Sequence, residues 1–319
     1  MKVSMMKACR TLAVPLIFLT ALPFCACEDP GKIKKVQLRA ATGPGESETG
    51  AGKNGAPSLK ISVAAMLSPK LSFATYDELA RYLEKRLNFP VKIVFEKNYT
   101  ETNNSLKNSR SDIAFVCTGG YLAARETFRP EILAVPVVNG KMVYNSLIVA
   151  RKTSPELGLG ELKGKVFAFS DEASLTGRLY VQARLVDLKQ TSGFFGGTVF
   201  TGSHDNSIKA VAENIADAAC VNSLVYQILL GRNDQYANKL RILETSPPFG
   251  NPPVVARAGL PADLKNKLRA VFLDMHRNEE GRRVLKTISV ESFSAPAPGL
   301  YSSAEELLKK TAAGRDLRR

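Results

Sequence analysis

Tryptophan is absent from the 319 residues, histidine occurs twice and cysteine five times. Three of the cysteines (Cys9, Cys25, Cys27) crowd into the N-terminal segment, so Cys117 and Cys220 remain for a folded body. Two thiols make no disulfide framework, and without Cys/His spacing of the zinc type no structural metal is expected. Both end or sit in apolar runs, DIAFVC and DAACV, as buried core thiols do. There is no G-x-S-x-G elbow, which removes the usual signature of an α/β serine hydrolase. No solenoid or propeller period recurs. Acidic residues are in deficit: 44 Lys and Arg against 30 Asp and Glu leave a net charge of +14. That charge is spread along the chain without interleaved aromatics, so no nucleic-acid groove is expected. It suits either a basic protein beside an anionic membrane or a field that favours small anions.

Runs long enough to cross a membrane are also missing. TLAVPLIFLTALPF follows Lys2, Lys7 and Arg10 but is too short and too early to span a bilayer. This is the layout of a secretory signal. It ends in LPFCAC, where Cys27 follows the small Ala26 and resembles the lipidated cysteine of lipoprotein signals. A signal over 1–27 is expected, with Cys27 as lipid attachment or with ordinary cleavage instead. Either outcome places the protein in the periplasm or at the cell surface. Residues 28–57, rich in Gly, Pro, Ser, Thr and charge, are expected to form a flexible linker.

The body alternates strands and helices. KISVAAML, VKIVF and DIAFVC have strand character; TYDELARYLEKRL and TETNNSLKN have helix character. SPKLSFA is expected to be a loop, and Thr75 with Glu78 to form a capping box. A second alternating set starts at KVFAF and continues through GTVFT, DAACV and KLRIL. This order predicts parallel α/β sheets. Two extended segments, VYNSLIVAR and NPPVVARAG, flank the second set. If both cross between lobes, the second lobe is an insertion: 58–146 plus 254–319 in lobe 1 and 147–253 in lobe 2. Two α/β lobes on two hinge strands close on a ligand between them.

Hydroxyls, glycines, one histidine and one asparagine gather after the predicted strands: Tyr99, Thr118, Ser174, Thr176, Gly177, His204 and Asn222. Ligands in such sheets sit at the carboxyl ends of strands, and helix N-termini favour oxyanions. Each residue also has a plainer role. Ser174, Asp171 or Asn222 can cap a helix, TGG can be a turn, Tyr99 can be packing, and His204 can be a satisfied loop side chain. An esterase triad of Ser174, His204 and Asp171 or Asp205 is the enzymatic alternative.

In order along the chain stand SPKLSFATYDELARYLEKRLNFPVKIVFEKNYTE, SRSDIAFVCTGGYLA, LIVARKTSPELGLGELKGKVFAFSDEASLTGRLY and GSHDNSIKAVAENIADAACVNS. Together, over about residues 60–290, they resemble the phosphonate/phosphite/phosphate-type substrate-binding proteins of ABC transporters. The resemblance implies a two-lobed periplasmic-binding-protein fold of type II with the ligand cleft between lobes. It implies capture of a small phosphorus oxyanion and delivery to an ABC permease, with no enzyme activity, cofactor or metal. Ser174, Thr176 and the Gly177 amide would hold oxygens, His204 would contact the same group, and Tyr99 and Thr118 would approach from the first lobe. Asn222 stands where an acidic residue would suit an aminoalkyl ligand. Val116 and Cys117 depart from the family pattern. A lipoprotein of the same fold that signals ligand state to a membrane partner is the alternative.

Overall fold

The structure, a computed structural model, describes residues 57–190 and 193–316. The expected signal, Cys27 and the expected linker up to residue 56 lie outside the described residues. The first run comprises β1 (Leu59–Val63), α1 (Pro69–Leu87), β2 (Val91–Phe95), α2 (Tyr99–Lys107), β3 (Ile113–Phe115) and α3 (Thr118–Thr127). β4 (Glu131–Val137), β5 (Val143–Tyr144) and β6 (Ser146–Arg151) lead out of it. The second run has β7 (Val166–Phe169), then a π-helical turn at Leu175–Leu179 that continues into α4 (Tyr180–Asp187). β8 (Gly197–Phe200), α5 (His204–Ala212), β9 (Ala218–Asn222) and α6 (Ser223–Gly231) complete it. β10 (Leu240–Thr245), β11 (Phe249–Gly250) and β12 (Val254–Ala256) lead back. The chain finishes with α7 (Ala262–Asp274), α8 (Glu279–Thr287), β13 (Ser292–Ser294) and α9 (Ser302–Asp316).

Two sheets result, in the orders β13-β4-β12-β3-β1-β2 and β10-β6-β9-β7-β8. β1 is parallel to β2 and β3, and β7 is parallel to β8 and β9, as helix crossovers require. The strands that travel between lobes pair antiparallel: β12 with β3 and β4, and β6 with β9 and β10. The sheets are therefore mixed, not parallel throughout. Between them β5 and β11 form a two-stranded ribbon, Phe249 opposite Tyr144. The chain crosses the two lobes through this ribbon, once in each direction.

Burial follows position in the sheets. β3 and β9 are buried at every residue, while β2 alternates between partly buried and exposed at its sheet edge. The first lobe packs Leu79 and Leu83 of α1 with Ile61, Leu133 and Phe272. Phe272 meets Phe115 and Phe293 edge-on, at centroid distances of 6.1 and 5.1 Å. The second lobe packs Val149, Ala168, Ile208 and Val221. A third cluster joins Tyr144, Phe167, Phe249 and Tyr301 around the ribbon. α9 bridges the lobes. It packs along α4, where Lys310 pairs with Asp187, and Glu305 pairs with Arg125 of α3 at 2.7 Å.

Two local expectations are corrected. SPKLSFA is not a loop: α1 begins at Pro69, after Ser68. Proline suits that first position because its fixed φ is helical and its missing N–H would be unpaired there anyway. Thr75 thus lies inside the helix and makes no capping box; its hydroxyl donates to Leu71 O at 2.7 Å, while Glu78 accepts from Thr287. TGG, for which a turn is one of two readings, opens α3.

Replacing Phe272 by alanine should cost the first lobe about 3–5 kcal/mol, because two aromatic partners lose their contact at once. Urea unfolding followed by circular dichroism reads this; an unchanged midpoint would refute the packing described.

Candidate functional site

The carboxyl ends of β1, β2 and β3 face those of β7, β8 and β9, and each loop there runs straight into a helix. Every residue expected to hold a ligand stands at such a helix start. Tyr99, Thr118 and His204 are the first residues of α2, α3 and α5; Ser174 and Asn222 are N-caps; Thr176 and Gly177 lie in the π turn behind Ser174. The structure brings all seven together, and each is buried. A helix start leaves its first N–H groups unpaired and carries partial positive charge.

Ser174 accepts the Gly177 N–H at 3.0 Å, so the Gly177 amide is engaged by the cap. The Ser174 hydroxyl also lies beside the Tyr99 phenol. Gly177 is required by space: a Cβ there would stand 1.8 Å from Ser170 Oγ and 2.8 Å from His204 Cε1. Asn222 caps α6, its Oδ1 accepting from Leu224 and Val225 at 2.8 and 3.4 Å. The Thr118 hydroxyl donates to Gly250 O of the ribbon at 2.8 Å.

His204 is fully buried, and burial alone pushes its pKa down to about 3. Its Nδ1 accepts the Asn222 N–H at 3.2 Å, which places the ring proton on Nε2. Nε2 faces the Tyr99 hydroxyl at 3.4 Å. His204 is therefore a neutral donor pointing toward the first lobe. The triad alternative is not assembled, because neither aspartate reaches the imidazole. Asp171 accepts from Ala173 N at 2.7 Å and from Tyr99 N at 3.1 Å. Asp205 accepts from Ser68 N at 2.8 Å. Both carboxylates thus latch one lobe to the other.

Three hydroxyls in this region are buried without a protein partner: Thr176 Oγ1, Tyr144 OH and Ser170 Oγ. A buried hydroxyl with no partner carries a desolvation cost, so such groups mark places made for something polar. Thr176 is held in place by its carbonyl, which accepts from Ser146 Oγ at 2.8 Å and Cys220 Sγ at 2.7 Å. The Tyr144 hydroxyl lies near those of Thr118 and Thr176, close enough to interact but outside good hydrogen-bond geometry. Tyr144 and Ser170 escape the sequence reading. Their signals were positional: Ser170 directly follows the KVFAF strand, and Tyr144 sits in the crossing segment.

Cys117 and Cys220 are both free and buried. The N–H groups of Leu175, Gly119 and Gly120 are directed at the Cys117 sulfur and lower its pKa, while burial pushes it up more strongly. The lobes approach closely at this point: a Cβ on Gly119 would lie 2.5 Å from the Ala173 carbonyl oxygen. The site is thus a set of hydroxyl, N–H and imidazole donors with Asp171 as its neighbouring carboxylate. Such a set suits an oxygen-rich anion.

Because folding holds His204 neutral, the unfolded chain binds a proton that the folded chain does not between the usual value near 6.5 and about 3. Stability should therefore fall as pH drops through that window, by up to about 1.4 kcal/mol per unit, and be unaffected above it. Urea midpoints at decreasing pH should show a shallower fall for His204→Asn than for the natural protein. Parallel profiles would contradict the buried, neutral imidazole.

The family profile described as "ABC transporter, phosphonate, periplasmic substrate-binding protein" matches residues 61–301. A protein of Prochlorococcus marinus, named a probable ABC transporter phosphite binding protein, is 25% identical over 261 residues, covering 74% of this chain and 83% of the relative. A solved binding-protein component of an ABC phosphonate transporter from Pseudomonas aeruginosa superposes with a TM-score of 0.76 at 23% identity, over 81% of this chain and 87% of that one. A Prochlorococcus marinus protein solved in complex with methylphosphonate gives 0.71 at 21% identity, over 82% of this chain and 98% of that one. The fold is that of the two-lobed type II periplasmic binding proteins. With the family profile covering most of the chain, this protein belongs to the periplasmic substrate-binding proteins of phosphonate ABC transporters.

Proposed function

We propose that this protein captures a small phosphorus oxyanion (a phosphonate, phosphite or phosphate) by closing its lobes on it, and delivers it to an ABC permease. The observation that carries this reading is the convergence of helix starts on unpartnered, buried hydroxyls. Thr176 Oγ1 and Ser170 Oγ come from the second lobe and Tyr144 OH from the crossing segment. His204 adds an Nε2–H, and the Ser174 hydroxyl and Tyr99 phenol stand beside it. These groups can supply hydrogen bonds to tetrahedral oxygens. No chemical step belongs to this reading: Ser174 is a helix cap, and His204 lacks a carboxylate to orient it as a base. The relatives named above, for phosphite, phosphonate and methylphosphonate, support the ligand class.

Titration calorimetry against phosphate, phosphite, methylphosphonate and sulfate tests this reading. Saturable binding of at least one phosphorus oxyanion is expected. Thr176→Val and His204→Ala should each weaken it by about tenfold or more, the effect of losing one hydrogen bond to a charged group. No binding of any of these anions would refute the proposal.

Closure depends on Gly119. Gly119→Val should fold normally, because the obstruction falls on Ala173 and Leu175 of the opposite lobe, yet hold the lobes apart. Small-angle scattering should show no contraction on adding ligand, and affinity should drop. Normal contraction would mean that the lobes do not meet there. Membrane anchoring through Cys27 belongs to the same proposal: a lipid analogue should label the natural protein in cells and not Cys27→Ala.

A further inference from the structure

Away from Tyr99 and His204 the lobes separate. A crevice of about 550 Å³ runs outward between α6 on one side and α1 with the α8–β13 turn on the other. Its inner end reaches one site residue, Asn222, and two residues that pack against the site, Ala64 and Met66. Asn222 lines it while its N–H fixes the His204 ring. Ala64 and Met66 line it while packing against Tyr99 and Cys117. Farther out the walls are apolar, formed by Leu224 and Ile228 across from Tyr76 and Phe293. No Asp or Glu is among its lining residues, and the charged groups there are Lys286 and Arg232.

An inorganic anion held at the helix starts would touch none of these outer walls. A cavity of this size is in the range that holds drug-sized organic molecules. An ammonium-bearing tail would enter it with no carboxylate to pair with, whereas an apolar tail would exchange water for Leu224, Ile228 and two aromatic rings. We propose that the crevice is the subsite for the organic substituent, and that the preferred cargo is a phosphonate carrying a bulky apolar or aryl group. This rests on the oxyanion reading above and adds the identity of the tail.

The test is calorimetry of the purified protein with methyl-, propyl-, 2-aminoethyl- and phenylphosphonate. Phenylphosphonate should bind about tenfold or more tightly than methylphosphonate, from burial of the ring. Propylphosphonate should bind more tightly than 2-aminoethylphosphonate, its near-isostere with a charge. Ile228, partly exposed on α6, can take a carboxylate without disturbing the core. Ile228→Glu should abolish the phenyl advantage and leave methylphosphonate unchanged. Equal affinity for methyl and phenyl, or equal weakening of both by Ile228→Glu, would overturn the tail subsite while the oxyanion reading stands. If no phosphonate binds, the subsite fails; the oxyanion reading fails with it only when phosphate and phosphite do not bind either.

Discussion

The structure depends on the meeting of five helix starts at one locus. α2 and α3 bring Tyr99 and Thr118 from the first lobe; the π turn, α5 and α6 bring Ser174, His204 and Asn222 from the second. Each start holds unpaired N–H groups and a fraction of positive charge. Gathering them is unfavourable unless caps, latches or a ligand answer them. The protein supplies several such answers. Ser174 and Asn222 cap their own helices, Asp171 accepts N–H groups from both lobes, and the Cys117 sulfur faces three more. The parallel strands β1 to β3 and β7 to β9, with their short exits, are what aim these helices at one another.

Much of this was legible in the sequence. Strand–helix alternation is written as a change of hydrophobic period, and the loops that gather at the candidate site follow because parallel sheets expose their carboxyl ends. The crossing segments were legible from their placement on either side of the second set of strands. The antiparallel component was not: β4 contains Pro136, and β13 is three residues long, so neither carries a clear strand signal. The start of α1 was hidden because Pro69 looks like a breaker until the N–H it lacks is seen to be unneeded. The bridging path of α9 is set by packing on α4 and an ion pair to α3, neither of which has a local signature.

Within the site, residue type was a better guide than expected role. The seven residues are neighbours, but the Thr118 hydroxyl is committed to Gly250 and the Gly177 amide to Ser174. Asp171 and Asp205, candidates for catalysis on type alone, serve as latches between lobes. Tyr144 and Ser170 could not be named beforehand, because an unpartnered hydroxyl is defined by what surrounds it. Sequence can place a donor at a strand end. Only the packed structure shows whether its proton is already in use.

Around Tyr99 and His204 the groups that face one another are neutral donors, and the neighbouring carboxylate, Asp171, accepts the Tyr99 N–H. This bears on letting go. A fixed cation attracts its anion over many ångströms, whereas a hydrogen bond weakens steeply once its distance and angle are lost. A grip made of neutral donors contributed by two bodies disappears as soon as those bodies part. Under the capture and delivery proposed above, a small rotation about the β5–β11 ribbon would then be enough to empty the site.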